Sequence, residues 1–335
     1  MKKLTIFILI LDILVAICFF VVYGPITSFR KTIISTALKT KTHQFIAYTF
    51  YNKETINEIA QLDSYIPFDE DSNLDEIIID TTPKDSYDNE YDKEILTRDE
   101  NNEDYKLIEL EISGYKAYLV AIYDPSKVFV ATSKAFNKNN TGAEKMYKMC
   151  SRLGGLVCIN GGGFLDPDGW GSDIPQGYII KNSQIVWSDS NNKANIIGIS
   201  NDNKLMLVNA TGEEAIKMGM RDGLQFGPFL IVNGEKIKFN DKAGGYNRAA
   251  RTAIAQRKDG VILFLVTEGV HANGPKLIDI ADTLEKYGAY NAANLDGGSS
   301  AQLVMNGKLI NTPLNVAGQE IKNGRSVVSG FILMP

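Results

Sequence analysis

The sequence predicts an α+β fold, in which a β-rich domain of mixed or antiparallel sheets with a few packed helices follows a single N-terminal transmembrane helix and a helical and acidic linker. Three observations predict it. Residues 4–23 are almost continuously apolar, residues 69–104 are densely acidic, and beyond residue 105 short apolar runs alternate with turns that contain glycine or asparagine. The composition, 44% hydrophobic and 22% charged over 335 residues, is that of a globular protein and excludes a disordered or collagen-like chain.

The apolar run at the N-terminus is long enough to cross a bilayer. Only Thr5 and Asp12 interrupt it, and about twenty residues at about 1.5 Å rise span about 30 Å. A cleaved signal peptide is the alternative, but no small-residue cleavage site follows Tyr23. We therefore expect residues 1–23 to be an uncleaved single-pass anchor in the cell membrane, with an extracytoplasmic domain behind it. Basic residues flank the run on both sides, so charge alone does not set its orientation.

The linker divides into two parts of opposite character. Residues 24–67 include a stretch, 26–62, without glycine or proline, whose apolar residues recur at helical spacing. We expect two helices here, forming a juxtamembrane stalk or a self-association element. Residues 69–104 carry 15 acidic and 3 basic residues, so repulsion among the carboxylates should make 68–104 an extended, flexible tether. The net charge of the whole chain is −5, which leaves +7 outside 69–104 and is compatible with anionic partners.

Turn chemistry predicts the hairpins of the domain over residues 105–335. Asn-Gly and Asp-Gly pairs accept the positive φ that a two-residue turn requires. Such pairs, and one Lys-Asn-Ser turn, follow or precede apolar runs at residues 181–183, 233–234, 259–260 and 306–307. Two helices are expected between the strands. One covers 143–153 and ends at a glycine pair, and the other runs from Pro275 to Gly288.

Cysteine and histidine usage leaves little room for a metal site. Cys150 and Cys158 are close in sequence and either bridge in an oxidising compartment or remain free thiols. The chain has 2 histidines, which excludes a His-rich site, and no Cys/His spacing suggests zinc. We expect no cofactor, although carboxylates in 166–173 leave a divalent cation open.

Four polar, glycine-dense segments stand at the ends of predicted strands, where backbone N–H groups can approach a ligand. They are residues 160–166, 248–252, 268–274 and 294–300. The spacings of the P-loop and of the dinucleotide-binding glycine motif are absent, so nucleotide binding by those routes is disfavoured. No basic-aromatic stripe indicates nucleic-acid binding.

The segments, taken in order, resemble the phosphodiester glycosidase family over about residues 105–335. The motifs that carry the resemblance are NGGGF at 160–164, DPDG at 166–169, PQG at 175–177, RTA at 251–253, NLDGGSS at 294–300 and GRSV at 324–327. Two positions depart from the family pattern. Glu268-Gly269-Val270 stands where Asp-Gly-Arg is expected, and Ser326 replaces a proline after Arg325. The first departure bears on substrate identity more than on reaction class.

The resemblance implies hydrolysis of a sugar-1-phosphodiester, with release of the sugar and of a phosphomonoester. Cleavage at the anomeric carbon passes through an oxocarbenium-like transition state, which needs a carboxylate nearby and usually a second carboxyl group. The leaving group is an acidic phosphate, so holding its negative charge matters more than protonating it. Arginine guanidinium groups and glycine-turn amides suit that task.

These requirements assign roles to particular residues as a hypothesis. The catalytic candidates are Asp296, Glu268 and His271, the last because its pKa lies near neutrality. The substrate-binding candidates are Arg251 and Arg325 with Gly297, Gly298, Ser299 and Ser300 for the phosphate, and Asn160 and Asp173 for sugar hydroxyls.

Each role has a structural alternative. Asp296 could cap a turn, and Glu268 could be a solvated charge at a strand end. Arg325 could pair with the acidic tether or a core carboxylate, and His271 could be a hydrogen-bonded loop residue.

The sequence thus predicts a membrane-anchored hydrolase that cleaves the glycosidic C–O bond of sugar-1-phosphate linkages, such as N-acetylglucosamine-1-phosphate, in an envelope polysaccharide, exopolysaccharide or glycan. Two alternatives remain open. One is a phosphodiesterase that cleaves the P–O bond on the same fold. The other is a non-catalytic module that binds an anionic polymer and positions partners through residues 24–67. The expected partners are therefore the sugar-phosphate polymer and the membrane.

Overall fold

The computed structural model describes residues 2–39, 44–62, 65–100, 102–134, 143–165, 174–239, 248–270 and 273–335. The helices are α1 Lys2–Tyr23, α2 Thr27–Lys39, α3 Gln44–Phe50, α4 Lys53–Leu62, α5 Glu90–Leu96, α6 Met146–Leu153, α7 Gly212–Lys217 and α8 Leu277–Lys286. The strands are β1 Tyr65–Ile66, β2 Tyr105–Ile112, β3 Tyr115–Ile122, β4 Val128–Thr132, β5 Glu144–Lys145, β6 Val157–Asn160, β7 Ile179–Lys181, β8 Gln184–Trp187, β9 Ala194–Ser200, β10 Leu205–Ala210, β11 Met220–Gln225, β12 Phe229–Val232, β13 Glu235–Lys236, β14 Lys238–Phe239, β15 Thr252–Arg257, β16 Ile262–Thr267, β17 Ala289–Leu295, β18 Leu303–Met305, β19 Lys308–Leu309, β20 Ser326–Val327 and β21 Ser329–Leu333.

Helices α1–α4 form one compact unit, and most of the chain from Ile66 onwards forms a second. In the helical unit, α1 is long and apolar enough to cross a membrane, with a mean hydropathy of 3.1. The stretch 26–62 folds into three helices rather than the predicted two, because α3 and α4 are separated by a break at Tyr51-Asn52.

Three antiparallel sheets build the second unit. The seven-stranded sheet has the order β13-β12-β17-β15-β16-β3-β2. The β6 sheet has the order β19-β18-β6-β21-β4, and the β9 sheet has the order β10-β9-β11-β7-β8. Their inner faces share one core, which contains Phe264 from the first sheet, Phe331 from the second and Leu224 from the third. The predicted β-rich α+β class is confirmed.

The turns follow the predicted chemistry. Asn233 and Asn306 lie at φ of 55° and 48°, and each is followed by a glycine at positive φ, so both Asn-Gly pairs form tight hairpins. Helix α6 ends at Gly154, which has left-handed backbone geometry. A disulfide joins Cys150 of α6 to Cys158 of β6, so the two cysteines that the sequence left undecided are bridged.

The acidic segment differs from the predicted extended tether, because it is packed on the second unit. Ile77 and Ile95 are 1% and 0% exposed. The Ile78 N–H donates to the Lys258 carbonyl at 2.8 Å. Repulsion among the carboxylates is offset where the segment meets basic side chains: Arg257 pairs with Asp92 at 2.8 Å. The net charge of the segment does not reveal these contacts, because the residues that it meets are more than 150 positions away in the sequence.

Replacing Arg257 by methionine should lower the free energy of unfolding by about 3 kcal/mol, since the mostly buried carboxylates of Asp92 and Asp259 would lose their cationic partner. The matched control is Lys258→Met, which removes an exposed ion pair to Glu76 and should cost under about 1 kcal/mol. Urea unfolding measures both values. Equal losses in the two variants would contradict the anchoring role of Arg257.

Candidate functional site

Three adjacent strands of the seven-stranded sheet end at one edge, and each end carries a predicted site residue. Arg251 directly precedes β15, Glu268 follows β16 and Asp296 follows β17. Because Thr252 pairs with Leu295, Arg251 and Asp296 are neighbours on adjacent strands. The Gly298 N–H donates to the Ala250 carbonyl at 2.8 Å, so the two backbones stay joined beyond the sheet.

Asn160, at the end of β6, connects this edge to the β6 sheet. Its Nδ2 donates to the Asp296 carbonyl at 2.6 Å. Its Oδ1 accepts from Thr252 Oγ1 at 2.7 Å and from the Gln302 N–H at 3.0 Å. The Asp296 N–H donates to the Gly161 carbonyl at 2.9 Å. Both backbone polar groups of Asp296 are therefore fixed by residues 160–161.

These contacts change the role predicted for Asn160. Asn160 is 1% exposed, and its side-chain amide forms hydrogen bonds within the protein. It therefore positions Asp296 rather than contacting a sugar hydroxyl. Two residues that the sequence analysis did not single out share the task. Thr252 and Gln302 are each 0% exposed, and a polar residue in an otherwise apolar buried strand or turn is the signal that could have identified them.

Arg325 lies beside Ser300. Its Nη1 is 3.5 Å from Ser300 Oγ, and its guanidinium lies over the Phe164 ring at 5.0 Å from the centroid. The Gln302 amide donates to the Arg325 carbonyl at 3.1 Å and to the Ser300 carbonyl at 3.2 Å. Stacking and backbone anchoring together restrict the orientation of the guanidinium plane, which suits recognition of a phosphate.

The glycine turn after Asp296 is shaped by close packing. A Cβ on Gly297 would stand 2.6 Å from the Ala250 carbonyl oxygen, and Gly298 has a φ of 58°. Since the Gly298 amide bonds Ala250, it is already used by the protein and is not the phosphate donor that the sequence predicted. Ser300 is 1% exposed and Ser299 is half-buried, so Ser299 is the more accessible hydroxyl of the pair.

Glu268 faces a different direction from Arg251. The Glu268 N–H donates to the Lys116 carbonyl at 2.8 Å and so extends the pairing of β16 with β3 by one residue. Because side chains alternate between the two faces of a strand, the Glu268 side chain lies on the same face of the sheet as Tyr118 and Thr252. Arg251 is on the opposite face, where its Nε is 3.4 Å from the Pro275 carbonyl. The Glu268 carboxylate accepts from the Thr312 N–H at 2.9 Å. This placement argues against the predicted catalytic pairing of Glu268 with Asp296.

Burial raises the pKa of the Glu268 carboxyl, and the Thr312 N–H, the Lys116 ammonium and the Tyr118 hydroxyl offset the effect only in part. The half-buried Glu268 carboxyl therefore holds its proton more tightly in the folded protein than in the unfolded chain. Asp173 and His271, the remaining candidates, lie outside the described residues. Within the described part of the chain, no group of three or more His, Cys, Asp or Glu side chains is placed to hold a metal ion.

Comparisons with known proteins identify the family and the fold of the chain. A family model described as phosphodiester glycosidase matches residues 154–334. The chain is 26% identical over 197 residues to the SPbeta prophage-derived uncharacterized protein YomE of Bacillus subtilis (strain 168), covering 56% of this chain and 30% of that protein. It is 37% identical over 78 residues to N-acetylglucosamine-1-phosphodiester alpha-N-acetylglucosaminidase of Bos taurus, covering 22% of this chain and 15% of that protein.

A solved structure shares the fold. The zebrafish N-acetylglucosamine-1-phosphodiester alpha-N-acetylglucosaminidase catalytic domain, auto-inhibited by its pro-peptide, superposes with a TM-score of 0.57 at 20% identity, covering 69% of this chain and 82% of that chain. The chain spans less than a third of the length of the two curated relatives.

The chain has the fold of a glycosidase catalytic domain. Because the family model matches more than half of the chain, the protein belongs to the phosphodiester glycosidase family. The resemblance predicted from the separate motifs is confirmed.

Replacing Asn160 by alanine should lower the free energy of unfolding by about 2–6 kcal/mol, because the buried Thr252 hydroxyl and Gln302 N–H would lose their acceptor at about 1–3 kcal/mol each. The control is Asn209→Ala, whose side chain is exposed and bonds Asn195. Urea unfolding measures both. Equal decreases of the free energy of unfolding in the two variants would contradict a stabilising role of Asn160 between the two sheets.

The raised pKa of Glu268 predicts a pH dependence of stability. The folded state binds this proton more tightly, so its contribution is complete below the ordinary value near 4.5 and is lost as the pH rises through the folded pKa. The variant Glu268→Gln removes this loss. Its free energy of unfolding relative to the parent should therefore increase between about pH 4.5 and 7. A constant difference over that range would contradict the prediction.

Proposed function

We propose that the second unit is an extracytoplasmic hydrolase that cleaves the glycosidic C–O bond of a sugar-1-phosphodiester. The single observation that carries the proposal is the position of Asp296. Its backbone is tied to Asn160 and Gly161, it neighbours Arg251 across the sheet, and its turn leads within four residues to Ser300, which lies beside Arg325. A carboxylate at a strand end that adjoins one arginine, followed by a turn that reaches a second, fits a substrate with an electrophilic sugar carbon and an anionic leaving group.

In the proposed reaction, the bond between the anomeric carbon and the phosphate oxygen breaks, and both electrons leave with that oxygen. The carboxylate of Asp296 supports the positive charge that develops on the sugar, either directly or by activating water. Arg325, stacked on Phe164, holds the departing phosphate dianion. Water supplies a hydroxyl to the sugar and a proton to the site, and the products are a free sugar and a phosphomonoester.

Two features support a location outside the cytoplasm. The Cys150–Cys158 disulfide is stable in an oxidising compartment. Helix α1 has the length and composition of a membrane span. We propose that the substrate is a sugar-phosphate linkage in an envelope polysaccharide or glycan near the membrane, with the domain held there by α1.

Replacing Asp296 by asparagine should lower kcat for a sugar-1-phosphodiester about 10²–10⁴-fold, because the amide neither stabilises positive charge nor accepts a proton. The control, Asp202→Asn, lies on an exposed turn and should retain parental activity. Release of reducing sugar and of phosphomonoester is measured in parallel. Full activity of Asp296→Asn would contradict the proposal, and a parent that binds the polymer without turnover would favour the binding-module alternative.

Hydrolysis in ¹⁸O-labelled water should place the label on the released sugar, since the proposed bond broken is C–O. Mass spectrometry of both products measures the label. Label in the phosphomonoester would assign the chain to the P–O-cleaving alternative.

A further inference from the structure

The helical unit leaves several large aromatic side chains exposed. Its core contains Ile34, Ala37, Ala47, Ile56 and Ile59, with Tyr51 packed against it, so two of its five buried members are alanines. Four further aromatic side chains stand outside: Phe29, Phe45, Tyr48 and Phe50 are 47%, 63%, 58% and 44% exposed. A unit that folds in water normally buries its aromatic residues first. The arrangement indicates an environment in which exposed aromatic surface is stable.

Helices α2 and α3 contact the end of α1. Arg30 Nη2 donates to the Gly24 carbonyl at 3.2 Å, and so bonds the turn that follows the last residue of α1. The rings of Tyr23 and Tyr51 lie 6.2 Å apart. The end of α1, the start of α2 and the end of α3 therefore meet at one place. A signal peptide removed at this point would take with it contacts that the unit uses.

Length and charge locate that meeting place. The 22 residues of α1 span about 33 Å, which carries the helix across a hydrocarbon core of about 30 Å and leaves Tyr23 at its boundary. Residues 24–62 carry 5 basic and 2 acidic side chains, a net charge of +3. Aromatic side chains concentrate at the boundary between hydrocarbon and headgroups, and basic residues are attracted to anionic lipid.

We propose that helices α2–α4 lie on the bilayer surface, with Phe45 and Tyr48, which share one face of α3, inserted among the headgroups. The occupant of this aromatic surface is lipid rather than a second copy of the chain. The inference rests on the proposed anchoring by α1 and is independent of the proposed hydrolysis. Residues 24–62 would then form a second contact with the membrane, in addition to α1. In this arrangement the helices lie on the bilayer and do not project from it as a stalk.

The experiment places a tryptophan on the surface. The full chain with Phe45→Trp is reconstituted in vesicles of phosphatidylcholine and phosphatidylglycerol, with or without bromine on the acyl chains near the headgroup. The emission of the parent, which has 2 tryptophans, is subtracted. The matched control is Ile78→Trp, at a position of the second unit that is 74% exposed. Flotation in alkaline carbonate tests the anchor in the same samples.

The expected result is flotation, with the added emission of Phe45→Trp reduced about twofold by brominated lipid and that of Ile78→Trp unchanged. Flotation with no quenching of Phe45→Trp would overturn the surface contact while leaving the anchor intact. A lack of quenching together with a dimer in cross-linking would assign the aromatic surface to a second copy. Failure to float would overturn both the anchor and this inference, and would leave the hydrolysis assay unaffected.

Discussion

The site depends on one buried amide. Asn160 joins the end of β6 to the end of β17 through the Asp296 carbonyl, and to β15 through Thr252. Hydrogen bonds of a buried side chain have no competing water, and an unpaired partner costs more than the bond itself contributes. Two sheets that pack only through apolar side chains could slide by a fraction of an ångström. The amide fixes their relative position at the point where Asp296 leaves the sheet.

Glycine makes this join possible. A Cβ on Gly161 would meet the Gly330 backbone at about 3.0 Å, and a Cβ on Gly297 would meet the Ala250 carbonyl at 2.6 Å. The turns after β6 and β17 therefore approach neighbouring backbone more closely than a side chain permits. Part of the glycine density that resembles an anion-binding loop is required for packing. In the proposed reaction, recognition of the phosphate falls mainly to Arg325 and its neighbours, with Arg251 at the sheet edge.

The two carboxylates of the predicted pair have separated roles in the structure. Asp296 is held by its backbone at the corner of two sheets, whereas Glu268 is turned toward Tyr118 and Thr312. Glu268 is also one of the positions where the chain departs from the family pattern. The structure places it on a different face of the sheet from Arg251.

The sequence by itself determined the local structure and the family. Asn-Gly pairs fixed hairpins because their backbone preference acts within two residues, and the motifs from Asn160 to Arg325 identified the phosphodiester glycosidase domain. The tertiary structure alone decided which polar groups meet. The acidic segment packs because Arg257 lies beside Asp92, and the Asn160 Oδ1 is hydrogen-bonded because Thr252 and Gln302 approach it. Contacts between residues more than 90 positions apart depend on sheet packing, and no local pattern in the chain encodes them.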